Sequence, residues 1–226
     1  MSLTISTVEG LPELREGDDL ARMIVEGAEL EDGDVVVVAQ KAISKIEGRI
    51  VRLDDVEKID VILREAKRVV RRRDSLVIAE TSHGFVCASA GVDASNAPEP
   101  GTLVLLPVDP DASAARLRNR LRDLSGAEVG VIVTDSFGRP FRQGTTDVAI
   151  GAAGVEVLRD LKGERDPAGY ELKSTVIAIA DQIAGAAQLV MGKLDRTPVA
   201  IVRGLDVAGD QTAQDVVMPA DRNLFA

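Results

Sequence analysis

The chain has no tryptophan, one tyrosine, one histidine, one cysteine and four phenylalanines among 226 residues. With so little aromatic bulk, packing falls to Val, Ile, Leu and Ala, which favours β-strands covered by Ala- and Leu-rich helices. The lone Cys87 excludes an internal disulfide and suits a reducing compartment. It sits in an apolar strand pattern and reads as a small core residue. The lone His83 excludes a multi-histidine metal site and reads as a loop residue, with a place at the rim of an active site as the functional alternative. No apolar run approaches the roughly 20 residues of a membrane helix. No basic segment followed by an apolar stretch opens the chain, so a cytoplasmic location is expected. The net charge of −10 argues against a nucleic-acid partner, which needs clustered Lys and Arg. The one basic run, Arg64 to Arg73, reads as the solvated face of a helix.

Hydrophobic residues make up 45% of the chain, enough for one substantial core. The expected class is α/β with mixed α+β elements, in one domain over residues 1–226 that two lobes could share. Ser2–Val8 alternates as a strand, and Asp18 and Asp19 precede a helix over Leu20–Ala28. Asp32-Gly-Asp34 reads as a hairpin-like turn into Val35–Ala39, a strand buried on both faces. Val56–Arg72 places Ile59, Leu63, Ala66 and Val70 on one helical stripe. Leu76–Ala79, Gly84–Ala88 and Leu103–Leu106 read as strands. Asp109-Pro-Asp opens a helix that ends at Gly126 and buries Ala114, Leu117, Leu121 and Leu124. Val129–Thr134 is a strand, Val176–Met191 a helix, Val199–Val202 a late strand, and residues 211–226 an irregular tail.

Two segments carry the chemistry. In Val131-Ile-Val-Thr-Asp-Ser-Phe-Gly-Arg-Pro-Phe-Arg-Gln-Gly144 a β-branched run delivers Asp135 and Ser136 to a strand end. A glycine turn then presents Arg139 and Arg142. Acid, hydroxyl and guanidinium groups so close together suit a metal ion and phosphate or carboxylate oxygens; a plain strand running into a polar turn fits the same letters. In the second segment, Asp93, Ser95 and Asn96 follow a β-like run ending in Ala90-Gly. Alone, those residues also make an Asx-type turn.

Together, and in order with Val8-Glu-Gly-Leu-Pro12, Glu16-Gly-Asp-Asp-Leu20, Ser44-Lys-Ile-Glu-Gly-Arg49, Asp147-Val-Ala-Ile-Gly151, Gly169-Tyr-Glu-Leu-Lys173 and Val202-Arg-Gly-Leu205, these strings resemble the coenzyme F-420-0:L-glutamate ligase family. The likeness is to the stand-alone form, without a C-terminal flavin reductase-like domain. It implies a GTP-dependent enzyme that adds γ-linked glutamate to a deazaflavin coenzyme precursor through an acyl phosphate. It also implies an intertwined homodimer with the active site near the interface. The implied cofactors are divalent ions, Mg²⁺ or Mn²⁺ and two in number, with a monovalent cation such as K⁺. Asp93 and Asp135 would hold the first ion, and Ser136, where the family commonly has Thr, would help hold the second. Guanine nucleotide contacts would come from Leu11, Pro12, Glu13 and Leu14, from Gln40, Lys41 and Lys45, from Asn96, and from the loop Met191, Gly192 and Lys193. Arg139 and Arg142 could grip the precursor's carboxylate or phosphodiester.

The sequence departs from the family in two places. Lys193 stands where a Glu or Gln usually ligates the second metal, and a protonated lysine has only donors. The expected remedy is Asp195, two residues on, with Gly192 giving the loop freedom; the other is that the ammonium neutralises phosphate charge. The segment after Arg49 is also short. A metal-dependent phosphatase or phosphotransferase around Val-Thr-Asp-Ser, and a non-catalytic nucleotide-binding module, are the competing readings. A haloacid-dehalogenase-like phosphatase would need a second Asp where Phe137 stands.

Overall fold

The computed structural model describes residues 2–54 and 56–224. In chain order its elements are β1 (Thr4–Thr7), α1 (Leu20–Gly27), β2 (Val35–Ala39), α2 (Gln40–Ile46), β3 (Ile50–Arg52), α3 (Lys58–Glu65), β4 (Ala66–Arg73), β5 (Leu76–Thr81), β6 (Val86–Ala88), β7 (Thr102–Val104), α4 (Pro110–Ser125), β8 (Gly130–Arg139), β9 (Arg142–Ala153), β10 (Leu158–Asp160), β11 (Val176–Ala178), α5 (Ile179–Met191) and β12 (Val199–Arg203). The class is mixed α/β, as the composition suggests.

The main sheet has the order β1-β12-β2-β8-β9. Its centre, Val35 to Val38, is buried on both faces, the cost-free place for a run of β-branched residues. Strands β2 and β8 run parallel, with Ala39 opposite Thr134; their other neighbours are antiparallel. The carboxyl end of β2 therefore lies beside Thr134 of β8, and the carboxyl side of parallel strands is the usual place for a ligand in sheets of this kind. Residues of α1, α4 and α5 join this sheet in one large core. A second apolar cluster unites Val61 and Ile62 of α3, Val77 and Ala79 of β5, Val92, and Leu103 and Leu105.

Helix α4 follows its sequence signals closely. Asp109 accepts from the Ala112 N–H, Pro110 opens the first turn, and Gly126 ends the helix in the left-handed region. Ala114, Leu117 and Leu121 are buried, and Leu124 packs at the margin of the core. Asp19 likewise caps α1 through the Arg22 N–H. The Asp32-Gly-Asp34 turn joins a helix to a strand rather than two strands of a hairpin.

Three expectations need correcting. The helix placed over Val56–Arg72 stops at Glu65, where Ala66 turns to extended backbone. The remainder is β4, paired antiparallel with β5 through two irregularities. Val61 and Ile62 face the core, while Leu63 and Val70 are exposed. Hydrogen bonding to β5 outweighs a helical spacing that the β-branched pair Val69-Val70 already weakens. The basic run is solvated, but on a strand. Strand β8 does not end before Asp135; it continues to Arg139 and turns straight into β9. Finally, Val176–Ala178 is a strand against β10, so α5 begins at Ile179.

The tail contains a 3-10 turn at Ala213–Val216 and is tied down. Gln211 accepts from the Val157 and Leu158 N–H groups, and Asp111 accepts from Ala213 and Ala152. Residues 225–226 of the expected tail lie outside the described residues.

Close packing of α4 on β9 depends on one glycine. A Cβ at Gly151 would stand 2.3 Å from the Pro110 carbonyl oxygen, whereas one at Gly138 would meet open space. Gly151→Ala is expected to cost about 3 kcal/mol, the upper end of overpacking, with Gly138→Ala within about 0.5 kcal/mol of neutral. Urea unfolding of both variants checks the contrast.

Candidate functional site at the paired strand ends

Where β2 ends, beside Thr134 of the continuing β8, both strands deliver polar residues to the same edge of the sheet. Strand β2 runs into α2, which starts with Gln40 and Lys41, and β8 carries Asp135 and Ser136 just past the Ala39–Thr134 pair. A third segment comes from the second cluster. Ser89, Ala90 and Gly91 all adopt left-handed backbone, a costly run for two residues with side chains. A Cβ at Gly91 would strike the Leu106 side chain. This turn sets Asp93 against β7, exchanging backbone hydrogen bonds with Val104.

Lys41 connects the segments. Its Nζ donates to Asp93 Oδ2 at 2.5 Å, to Ser95 Oγ at 2.8 Å and to the Ser95 carbonyl at 2.9 Å. Ser95 returns its hydroxyl to Asp93 Oδ2 at 2.6 Å and its N–H to Oδ1 at 2.8 Å. Burial alone would raise the Asp93 carboxyl, but the bonds from Lys41 and Ser95 together hold it well below the ordinary carboxylate range. Asp135 goes the other way. Burial pushes it up to about 7; the charges of Asp147 and Asp93 add to the rise, and the Ser136 N–H and Lys41 oppose it. Asp93 and Asp135, 42 positions apart in the chain, thus feel each other's charge.

Asp147, buried on β9, faces Ser136 across the hairpin and accepts its hydroxyl at 2.6 Å. Gln188 of α5 accepts from the Asp147 N–H at 3.1 Å. Burial raises the Asp147 carboxyl, and the Ser136 and Thr134 hydroxyls and the charge of Lys193 lower it. Sequence reading gave Asp147 and Gln188 no role. The pairing of Asp147 with Ser136 depends on the β8–β9 register, which local sequence does not carry.

The remaining candidates divide. Lys45 pairs with Glu13, which brings the Leu11–Leu14 segment beside α2. Leu14 is a core residue, and so is Met191. Gln40 is buried, accepts from Ser44 at 2.8 Å, and its Nε2 has no partner among the described residues. Asn96 donates to the Lys193 carbonyl at 3.4 Å, so the Met191–Lys193 loop reaches the Asp93 segment. Asp195 is exposed, and its Oδ2 lies 2.1 Å from where a Gly192 Cβ would be. Arg139 and Arg142 sit opposite each other at the exposed hairpin tip, roughly 13 Å of strand beyond Asp135.

His83 lies 3.0 Å from both the Pro107 and Val108 carbonyls through Nε2 and stacks on Phe85. Cys87 is buried, its thiol pushed up to about 12 by burial and then by the Asp135 charge, as a core residue should be. Arg203, from the Val202-Arg-Gly-Leu205 string, grips buried Asp34 at 2.8 and 2.7 Å and also bonds Glu31, so its work is structural. Among the described residues no group of three His, Cys, Asp or Glu side chains is arranged to hold a metal ion. No helix there is long and apolar enough to cross a membrane.

Carboxylates, a hydroxyl and an ammonium gathered where β2 ends beside β8 make an oxygen-rich candidate site in an α/β protein. The family model described as F420-0:Gamma-glutamyl ligase matches residues 10–204, and the chain belongs to that family. It is 46% identical to the coenzyme F420:L-glutamate ligase of Methanopyrus kandleri, over 99% of this chain and 98% of that one. The proteins of the same name from Archaeoglobus fulgidus and Methanothermobacter thermautotrophicus are 42% and 37% identical, each over 100% of this chain and 97% and 99% of theirs. The first alignment runs 247 positions against 226 residues, so that relative carries residues this chain lacks.

Proposed function

We propose that this protein is a γ-glutamyl ligase that joins L-glutamate to the coenzyme F420 precursor with GTP as energy source. The observation that carries the reading is the convergence of Asp93, Asp135 and Lys41 at the paired strand ends, in a chain alike to F420:L-glutamate ligases over its full length. In the proposed sequence a precursor carboxylate oxygen attacks the γ-phosphorus of GTP and the bond to GDP breaks. The glutamate amine then attacks the acyl carbon, the C–N bond forms, phosphate leaves with the C–O electrons, and the amine loses a proton.

The donor set suits hard divalent ions, because every side-chain ligand offered is an oxygen. Asp93 and Asp135 would hold one ion and Ser136 would help hold a second, with water and phosphate oxygens completing each. Ions held there would supply Lewis-acid stabilisation of the charge on the non-bridging phosphate oxygens. Lys41 and Lys45 supply ammonium donors beside the same cleft, and the buried Nε2 of Gln40 has a free N–H to offer. The expected homodimer remains part of this proposal, to be tested by sedimentation.

The loop after α5 poses a choice between Asp195 as the replacement oxygen and Lys193 as a phosphate-neutralising cation. Both side chains are exposed, and the electrostatic pull of Lys193 on Asp147 favours the lysine. Lys193→Ala is therefore expected to lower turnover about tenfold or more, a modest loss for one electrostatic group, while Asp195→Ala leaves the metal requirement unchanged. A higher metal concentration for half-maximal rate in Asp195→Ala would assign the oxygen to Asp195 instead.

Isotope transfer tests the reaction itself. With ¹⁸O in the precursor's terminal carboxylate, one labelled oxygen should appear in the released phosphate for each amide formed. Amide formation with unlabelled phosphate would rule out the acyl phosphate.

A further inference from the structure

Lys41 occupies the place where a cation is needed most. All three of its ammonium hydrogens have acceptors, on Asp93 Oδ2, Ser95 Oγ and the Ser95 carbonyl. Asp93 is equally committed, with Oδ1 accepting the Ser95 N–H and Oδ2 accepting both Lys41 and the Ser95 hydroxyl. The lysine side chain is 16% exposed, and its charge also acts on Asp135. Asp93 Oδ1 keeps a lone pair for a divalent ion, but an ion there would stand beside the ammonium on Oδ2 of the same carboxylate, and the two cations would repel. The four-carbon stem of Lys41, rooted in the first turn of α2, lets the ammonium move while keeping it in the cleft.

We propose that Lys41 is an internal counterion that holds the cation position between Asp93 and Asp135 until a divalent ion displaces it, so that metal arrival releases an ammonium toward the phosphate oxygens. The inference rests on the metal site assigned under the proposed function. It makes Lys41 a competitor of the metal before nucleotide binds and an anion ligand afterwards. The ammonium also offsets part of the repulsion between the carboxylates while no ion is bound. Ser95 serves as the latch, because it bonds both members of the pair.

Nucleotide-free protein titrated with Mn²⁺, following the free-ion electron paramagnetic resonance signal, tests this. Lys41→Met is expected to bind Mn²⁺ about tenfold more tightly than the parent, the lower end of what a neighbouring opposite charge does to a carboxylate's affinity for a cation. Adding Asp135→Asn to Lys41→Met should remove the gain. Equal or weaker binding by a folded Lys41→Met overturns the exchange. If Asp135→Asn still weakens binding in the parent, the metal site stands and only the exchange falls. A gain that survives Asp135→Asn in the double variant places the ion elsewhere and overturns the metal site itself. Should Lys41→Met fail to fold, the parent protein labelled with ¹³C-lysine gives the same answer. Saturating Mg²⁺ should shift the Lys41 ε-carbon resonance, and an unmoved resonance overturns the proposal.

Discussion

Asp135→Asn is expected to cut metal-dependent GTP turnover by about two orders of magnitude or more, the scale of one preorganised electrostatic group, and to stabilise the nucleotide-free protein. Both effects have one origin. Asp135 is a carboxylate kept in a cleft that disfavours its charge, first through burial and then through Asp147 and Asp93. Its carboxyl is pushed up to about 7, above the ordinary carboxylate value of about 4. A group raised in this way loses its contribution to stability as pH climbs from about 4 through about 7. Asparagine keeps the size and never ionises, so the variant should gain on the order of 1–3 kcal/mol at pH 8, and nothing below about pH 4. Thermal melts at the two pH values, beside turnover with saturating Mn²⁺, check the pair of outcomes. Near-normal turnover, or a variant less stable at pH 8, would contradict the account.

Asp93→Asn should match Asp135→Asn in activity and oppose it in stability. The bonds from Lys41 and Ser95 hold the Asp93 carboxyl below its ordinary range against the pull of burial. A depressed carboxyl contributes stability above its unfolded value near 4, which is lost as pH falls through the lower folded value. Removing that charge at pH 8 leaves Lys41 without its counter-charge, so the variant should melt below the parent. Turnover should again fall by about two orders of magnitude. The double variant should be little slower than either single one, because both side chains act on one ion. Multiplicative losses would mean that the two carboxylates do separate work.

What could be read from the sequence was decided locally, and what could not depended on pairing between distant segments. Helix α4 was legible to the residue because Asp109, Pro110 and Gly126 write its ends into the chain. Strand β2 was legible because four consecutive valines tolerate burial on both faces. Residues 66–73 were misread because helical spacing and strand propensity coexist there, and only the partner β5 decides between them. The same holds for the site. Asp93 and Asp135 could be named from their motifs, and the structure sets them in each other's field. The bond from Lys41 to Asp93 spans 52 residues and the Ser136–Asp147 pair depends on hairpin register. Neither leaves a mark in local sequence. Arg139 and Arg142, four and seven residues after Asp135, lie at the exposed hairpin tip because β8 continues past Asp135.

The claim that this site makes an amide bond is tested most directly by weighing the product. Purified protein would be incubated with GTP, Mn²⁺, L-glutamate and the F420 precursor, and the deazaflavin examined by mass spectrometry. The account predicts a product heavier by a glutamyl residue, GDP formed in equal amount, and no GDP when either glutamate or precursor is left out. GTP consumed with the precursor unchanged in mass, or at the same rate without glutamate, would contradict it.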